Sequence, residues 1–476
     1  GIWGRRAMAE MSSVQIALIP SPGMGHIIPF IELAKRLARH HRLRVTLIFP
    51  SRSPPSAAHN SVLQGLPSSI SYLHLPPVNL DDLPPEDNNA ETVISVTVAR
   101  SVPSIRGALE SIVSSGSRLA CVVLDLFGTP AISVAREFNA AAYVFFASTA
   151  MTLSLLLRLP ALDETVDCEF RYVDRVEIPG CSPIHGGQLL DPVQDRKSSN
   201  YKWMLQHAKS YAQLDGILEN SFAELENGAF RALREPQPGK PPVYFVGPLV
   251  NVDSSASTEE EARCLRWLDD QPHRSVLYVC FGSGGTLTNE QMHELALGLE
   301  MSEQRFLWVV RSPSCRSAHS AFFTVRSEND PFFFLPKGFL DRTEGRGMMV
   351  DSWAPQACVL KHAATAGFLS HCGWNSVLES IVHGVPLIAW PLYAEQKMNA
   401  IMLTEEIGIA LRPRAGGIIG RDEISVVVRD LMEGEAGKCV RDRVKTLKDA
   451  AARALSENDG SSTGALSQVV SKWINQ

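Results

Sequence analysis

The stretch VQIALIPSPGMGHIIPFIELAKRLARH, residues 14–40, decides the fold. Residues 14–20 form an almost continuous apolar run, as expected of a strand buried on both faces. From Ile27 onward, Ile27, Phe30, Ile31, Ala34, Leu37 and Ala38 recur at helical spacing. Ser21-Pro22-Gly23-Met24-Gly25-His26 supplies the turn between them. The pattern restarts at SVLYVCF, residues 275–281, which runs into Gly282-Ser283-Gly284-Gly285. There Thr288 with Gln291 predicts a capping-box start for a helix reaching Met301. Two such openings, one per half, predict two similar α/β domains with parallel sheets, facing each other.

Further strands are predicted at residues 44–49, 119–126, 217–220 and 305–310, with helices at 129–138, 224–233, 422–432, 439–455 and 463–474. A chain of 476 residues suggests two or three domains. The polar run NVDSSASTEE, residues 251–260, is the linker candidate. It separates an N-terminal domain (14–250) from a C-terminal one (261–455), with a terminal helix in 456–476. Residues 1–13 read as tag-like or disordered. Residues 312–334 break the rhythm as a long loop.

Composition excludes several classes. A net charge of −6 does not suit a nucleic-acid partner. Nine scattered cysteines without a CxxC pair read as free thiols in a reducing compartment. Cys372 reads as a small buried hydrophobe. The charge-free run 138–157 is rejected as a membrane span, because polar residues divide it into a strand-like and a helix-like part. The N-terminus lacks the apolar core of a signal peptide, so a cytoplasmic protein is expected.

Two chemically suggestive residues sit at strand ends. Ligands of open α/β sheets bind there, and His26 follows the first strand. A dinucleotide reading fails, because Ile28 stands at the third glycine position and the second strand ends in Phe49-Pro50 rather than an acid. Asp125 ends the strand LACVVLDL, where an acid needs a partner. Each has a plain alternative, a turn-satisfying histidine or a local turn ligand. Paired, they suit a general base whose tautomer a buried carboxylate fixes. No His/Cys/carboxylate cluster has metal-ligand spacing, so no metal is expected.

The densest chemistry lies in WAPQACVLKHAATAGFLSHCGWNSVLESIVHGVPLIAWPLYAEQ, residues 353–396. Trp353 offers a flat face for a base. His371, Asn375 and Ser376 offer donors for phosphates, and Glu379, Glu395 and Gln396 partners for hydroxyls. Leu387 and Trp390 read as strand core, and His293, His362 and His383 as solvated or turn residues.

This segment resembles the donor-binding box of the plant family 1 UDP-glycosyltransferases. PSPGMGH, LDLFGT around Asp125 and FGSGGT around Ser283 extend the resemblance over nearly the whole chain. GKPPVYFVGPL, EQRFLWVVRSPS and PLYAEQKMNA are most like the hydroquinone glucosyltransferases of that family. The resemblance implies a GT-B fold, two Rossmann-like domains with the active site in the cleft, and a C-terminal helix crossing back to the N-terminal domain. It implies UDP-glucose as donor substrate without a cofactor, and inversion to a β-glucoside. His26 would be the base and Asp125 its partner. Ser283, Trp353, Ala354, Gln356, His371, Trp374, Asn375, Ser376 and Glu379 would hold UDP. Thr149, Trp374, Glu395 and Gln396 would hold the sugar. The acceptor, a small phenol or a hydroxylated heteroaromatic such as indoxyl, would meet Phe127, Phe145, Phe146, Leu189 and Trp203, with Glu91 and Ile94 as weaker candidates. A monomer without stable membrane insertion is expected. The competing readings are a sugar-nucleotide sensor without turnover and a nicotinamide-dependent oxidoreductase.

Overall fold

The computed structural model describes residues 14–252, 258–314, 330–414 and 416–475. The tag-like residues 1–13, half of the expected linker and most of the long loop 312–334 lie outside the described residues. One compact unit extends to Leu249 and resumes at Arg453, and the other is Val250–Ala452.

The first unit carries a seven-stranded parallel sheet in the order β3-β2-β1-β4-β5-β6-β7. Its strands are β1 (Val14–Ile19), β2 (Arg44–Phe49), β3 (Ile70–His74), β4 (Arg118–Asp125), β5 (Ala141–Phe146), β6 (Gly216–Glu219) and β7 (Val243–Phe245). All of β1 and β5 is buried, which is why their sequences are apolar without alternation, apart from Gln15, whose amide donates to the Thr46 hydroxyl. The strand order reverses between β1 and β4, and ligands bind at the carboxyl ends on either side of such a switch point.

The second unit repeats the plan with six parallel strands in the order β10-β9-β8-β11-β12-β13. These are β8 (Val276–Cys280), β9 (Arg305–Val310), β10 (Gly347–Asp351), β11 (Thr365–Ser370), β12 (Leu387–Ala389) and β13 (Ala410–Leu411). Its switch point lies between β8 and β11.

Helix Ser461–Asn475 belongs to the first unit's core. Leu466, Val469, Val470 and Trp473 join β1, β4 and β5 side chains in one cluster. Trp473 is fully buried, edge-on to Tyr143 with ring centroids 5.4 Å apart. Arg118 donates to the terminal carbonyls of Trp473 and Ile474 at 3.2 and 2.8 Å, a cation satisfying the last turn of a helix.

Two local expectations need correction. Thr288 does cap helix Asn289–Ser302 by accepting from the Gln291 N–H. The Gln291 side chain, however, exchanges hydrogen bonds with the Ile419 backbone instead of returning to the cap. The complete capping box is at Thr258 and Glu261, so helix Glu259–Asp269 begins inside the stretch expected to be linker.

Candidate active site

In the first unit, β1 and β4 deliver His26 and Asp125 to the same switch point. Gly23 makes the turn into helix Met24–His41 with φ 116°, a conformation that favours glycine. The imidazole then lies 3.0 Å, Nδ1 to Oδ1, from the Asp125 carboxylate. Asp125 is fully buried, and the His26 side chain keeps 17% of its surface exposed. The second carboxylate oxygen accepts the Phe127 N–H at 3.2 Å. A carboxylate can only accept, so the proton sits on Nδ1 and the lone pair on Nε2. This is the tautomer a general base needs.

The expected acceptor residues divide into two groups. Phe127 packs edge-on against His26, centroids 5.6 Å apart. It makes a second edge contact, at 5.7 Å, with His207, on which Trp203 stacks. Glu91 and Ile94 lie on helix Ala90–Ser114, and Asn200 of helix Ser199–Ser210 donates to Glu91 at 3.4 Å. Phe145 and Phe146 are fully buried strand residues, and Phe145 packs on Phe30 in the core. Neither presents surface to an acceptor, because β5 is covered on both faces. Leu189 is buried at the end of a short 3-10 turn. Thr149, expected to touch sugar, is fully buried as the N-cap of helix Ala150–Thr165. Its hydroxyl serves the Thr152 N–H at 3.0 Å and the Thr152 hydroxyl at 2.8 Å.

In the second unit the donor candidates assemble around the β8–β11 switch point. His371 follows β11, and burial pushes its imidazole down to about 4, so the ring is neutral at pH 7. A Cβ on Gly282 or Gly373 would stand 2.5 or 2.4 Å from its Nε2. The ring is therefore held between two backbone segments that only glycine allows so close. Its Nδ1 has no hydrogen-bond partner among the described residues. Asn399 donates to the Cys372 carbonyl at 2.9 Å, fixing the turn after His371. Cys372 itself is fully buried.

Helix Trp374–His383 starts at Gly373 without a side-chain cap. Its first turn presents backbone amides and the positive end of the helix dipole, a setting for phosphate. Trp374, Asn375 and Ser376 are in that turn. Ser283 stands half-buried beside Gly282. Gln356 donates to Ser376 at 2.9 Å and to Glu379 at 2.7 Å, while the Tyr278 hydroxyl reaches the Gln356 carbonyl at 3.4 Å. Three residues expected to meet UDP thus form one network. Trp353 is half-buried and Ala354 buried where the chain leaves β10. Gln396 uses its carbonyl oxygen on the Leu392 and Tyr393 N–H groups at 2.9 and 3.1 Å. Only its NH2 can then address a sugar hydroxyl. Glu395 precedes it at the helix start.

Sequence reading missed Tyr278, Asn399 and His207, whose partners are 78, 27 and 78 positions away. No local pattern marks such contacts. Among the described residues no group of three or more His, Cys, Asp or Glu side chains could hold a metal ion, and no helix is long and apolar enough to cross a membrane.

Residues 223–432 match the family described as UDP-glucoronosyl and UDP-glucosyl transferase. Hydroquinone glucosyltransferase of Rauvolfia serpentina is 54% identical over 464 residues, covering 97% of this chain and 98% of that protein. A solved Polygonum tinctorium UDP-glucosyltransferase, capable of glucosylating indoxyl and complexed with 3,4-dichloroaniline, is 51% identical with a TM-score of 0.89. That match covers 97% of this chain and 99% of that one. UGT2 of Phytolacca americana, solved with UDP-2fluoro-glucose and pterostilbene, is 48% identical with a TM-score of 0.87, over 97% and 100% of the two chains.

Proposed function

The chain belongs to the plant UDP-glycosyltransferases, and on that premise we propose that it moves glucose from UDP-glucose to the hydroxyl of a small phenol or hydroxylated heteroaromatic, with inversion to a β-D-glucoside. The observation that carries the reading is the 3.0 Å contact between His26 and fully buried Asp125. Nε2 of His26 takes the acceptor's hydroxyl proton, and Asp125 balances the imidazolium that forms. The phenolic oxygen forms its bond to the anomeric carbon as the bond to the diphosphate oxygen breaks. The electron pair leaves with UDP. A phenol suits this step because its hydroxyl gives up a proton more readily than an aliphatic one.

The second unit serves the leaving group and the sugar. Trp353 stacks on uracil, and Glu379, oriented by Gln356, accepts from the ribose hydroxyls. His371, Asn375, Ser376, Ser283 and the helix amides donate to the diphosphate as charge develops. Because His371 is neutral, it contributes a directed N–H rather than a charge. Trp374, Glu395 and the Gln396 NH2 face glucose. The family resemblance supports glucose as the donor sugar, since Gln396 and Trp374 are the residues that usually accompany it there, where galactose users often carry His and glucuronate users often carry Arg. The relatives that act on hydroquinone and indoxyl support a small aromatic acceptor. A cytoplasmic location suits such a substrate pair.

His26→Ala tests the assignment. UDP-glucose binding is expected to be unchanged and phenol glucosylation to fall about 10²–10⁴-fold. Undiminished glucoside formation would remove His26 from the mechanism. Faster turnover of UDP-galactose or UDP-glucuronate than of UDP-glucose would overturn the donor.

A further inference from the structure

His207 is a buried titratable group that the proposed chemistry does not use. It is fully buried on helix Ser199–Ser210. Its Nε2 is 3.0 Å from the Ser95 hydroxyl, and its Nδ1 is 2.7 Å from the Thr129 hydroxyl. The Ser95 O–H donates to the Glu91 carbonyl at 2.7 Å. A hydroxyl has one proton to give, so Ser95 accepts from Nε2–H. Nδ1 then carries the lone pair and accepts the Thr129 O–H. The ring is neutral, with both nitrogens satisfied. Burial holds its pKa down at about 3, against an opposing influence from Asp125.

This ring ties together three segments: helix Ala90–Ser114 through Ser95, the turn after β4 through Thr129, and its own helix. What it holds matters for the reaction. Phe127 lies with one edge contact to His207, at 5.7 Å and 78°, and another to His26, at 5.6 Å and 72°. The Phe127 N–H bonds the Asp125 carboxylate, and the Tyr211 hydroxyl pins the preceding Leu126 carbonyl at 3.0 Å. Trp203 stacks on the opposite partner, His207, at 5.6 Å and 24°. Backbone and ring of Phe127 are thus fixed on both the dyad side and the His207 side.

Building on the proposed function, we propose that His207 is a positioning and specificity-determining residue. Its two hydrogen bonds set the Phe127 ring against His26 and so restrict the site to small, flat acceptors presented at one angle to the base. An aromatic ring clamped at two edges cannot swing away to admit a longer phenol. Loss of the clamp frees the ring, so a small acceptor loses its orientation and a large one gains room.

The test compares wild type with His207→Leu and Thr129→Val, using UDP-glucose with hydroquinone as small acceptor and pterostilbene as large one. Thr129→Val removes one hydrogen bond with little change in volume, and it decides the question if His207→Leu fails to fold. The kcat/KM ratio of hydroquinone to pterostilbene is expected to fall about tenfold in His207→Leu and severalfold in Thr129→Val, with the KM for UDP-glucose unchanged. His207→Asn, whose carbonyl can accept from Thr129, is expected to recover part of the ratio. A merely structural role would lower both acceptors in proportion, and an unchanged ratio overturns the proposal. If wild type glucosylates neither phenol, the functional reading itself fails. If it glucosylates them and the ratio does not move, only the role of His207 fails.

Discussion

At the scale of single residues, the site depends on a few short distances. Asp125 holds one tautomer of His26, and Asp125→Asn removes that control while keeping the shape. Its kcat/KM for phenol glucosylation is expected to fall at least about 10²-fold with UDP-glucose affinity intact, as steady-state kinetics and calorimetry would report. On the donor side, Gly373→Ala places a methyl 2.4 Å from the His371 ring. About tenfold weaker UDP binding is expected, roughly 1.4 kcal/mol, with phenol binding unaffected. Equal UDP affinity would show that His371 does not meet the diphosphate. Most of these residues were legible because each stands in a short pattern: a glycine turn, an acid at a strand end, or the dense run 353–396. The supporting residues were not. His207, Ser95 and Thr129 lie on three separate elements, and nothing in their neighbouring sequence distinguishes them from ordinary helix and turn residues. The aromatic strand residues Phe145 and Phe146 misled for the converse reason. An aromatic at a strand end looks the same whether it faces a ligand or, as here, the core.

At the scale of elements, continuous apolar runs marked β1, β5 and β9 accurately, because strands covered on both faces leave little room for other patterns. Helix Ala90–Ser114 escaped notice. It is rich in Val, Ile, Ser and Thr and contains Pro103, all poor signals for a helix. Its buried face, Val93, Ile94, Val98, Ile105, Leu109 and Ile112, holds it by packing, and the buried hydroxyls of Ser95, Thr97 and Ser101 are satisfied by bonding back to the carbonyls of Glu91, Val93 and Thr97 at 2.7–2.8 Å. Strand β6 carries an opposite kind of conflict. Glu219 at its end is fully buried, and neither carboxyl oxygen has a hydrogen-bond partner among the described residues. Burial, and then the neighbouring Glu226, push its pKa far up, so it is held neutral. An unpartnered buried carboxyl costs about 1–3 kcal/mol. Glu219→Leu is therefore expected to raise the urea midpoint by an equivalent amount, and a lower midpoint would mean that the carboxyl has a stabilising partner.

At the scale of the whole molecule, the two units repeat one plan and divide the proposed labour, acceptor and base on one, donor on the other. The last helix belongs to the first unit although it follows the second in sequence. Trp473→Ala is expected to cost about 3–5 kcal/mol, seen as a fall in thermal midpoint. Acid should destabilise the chain through two buried histidines, His207 and His371, and two half-buried ones, His59 and His383. His59, His371 and His383 are pushed down to about 4 and His207 to about 3, chiefly by burial. The unfolded chain binds these protons near pH 6.5 and the folded one does not. Their contribution is thus complete above that pH and is lost as pH falls from 6.5 towards 4, and for His207 towards 3. Glu219 acts with the opposite sign, its burden growing as pH rises above the ordinary carboxylate range. In Glu219→Leu, which removes that opposing contribution, a midpoint that stayed flat from pH 7 to 4.5 would contradict the histidine assignment. The central claim is the inverting transfer of glucose to a phenol, and proton NMR of the product formed from UDP-glucose and hydroquinone addresses it directly. The large anomeric coupling of a β-glucoside is the result expected. An α-glucoside, or no glucoside at all, would contradict it.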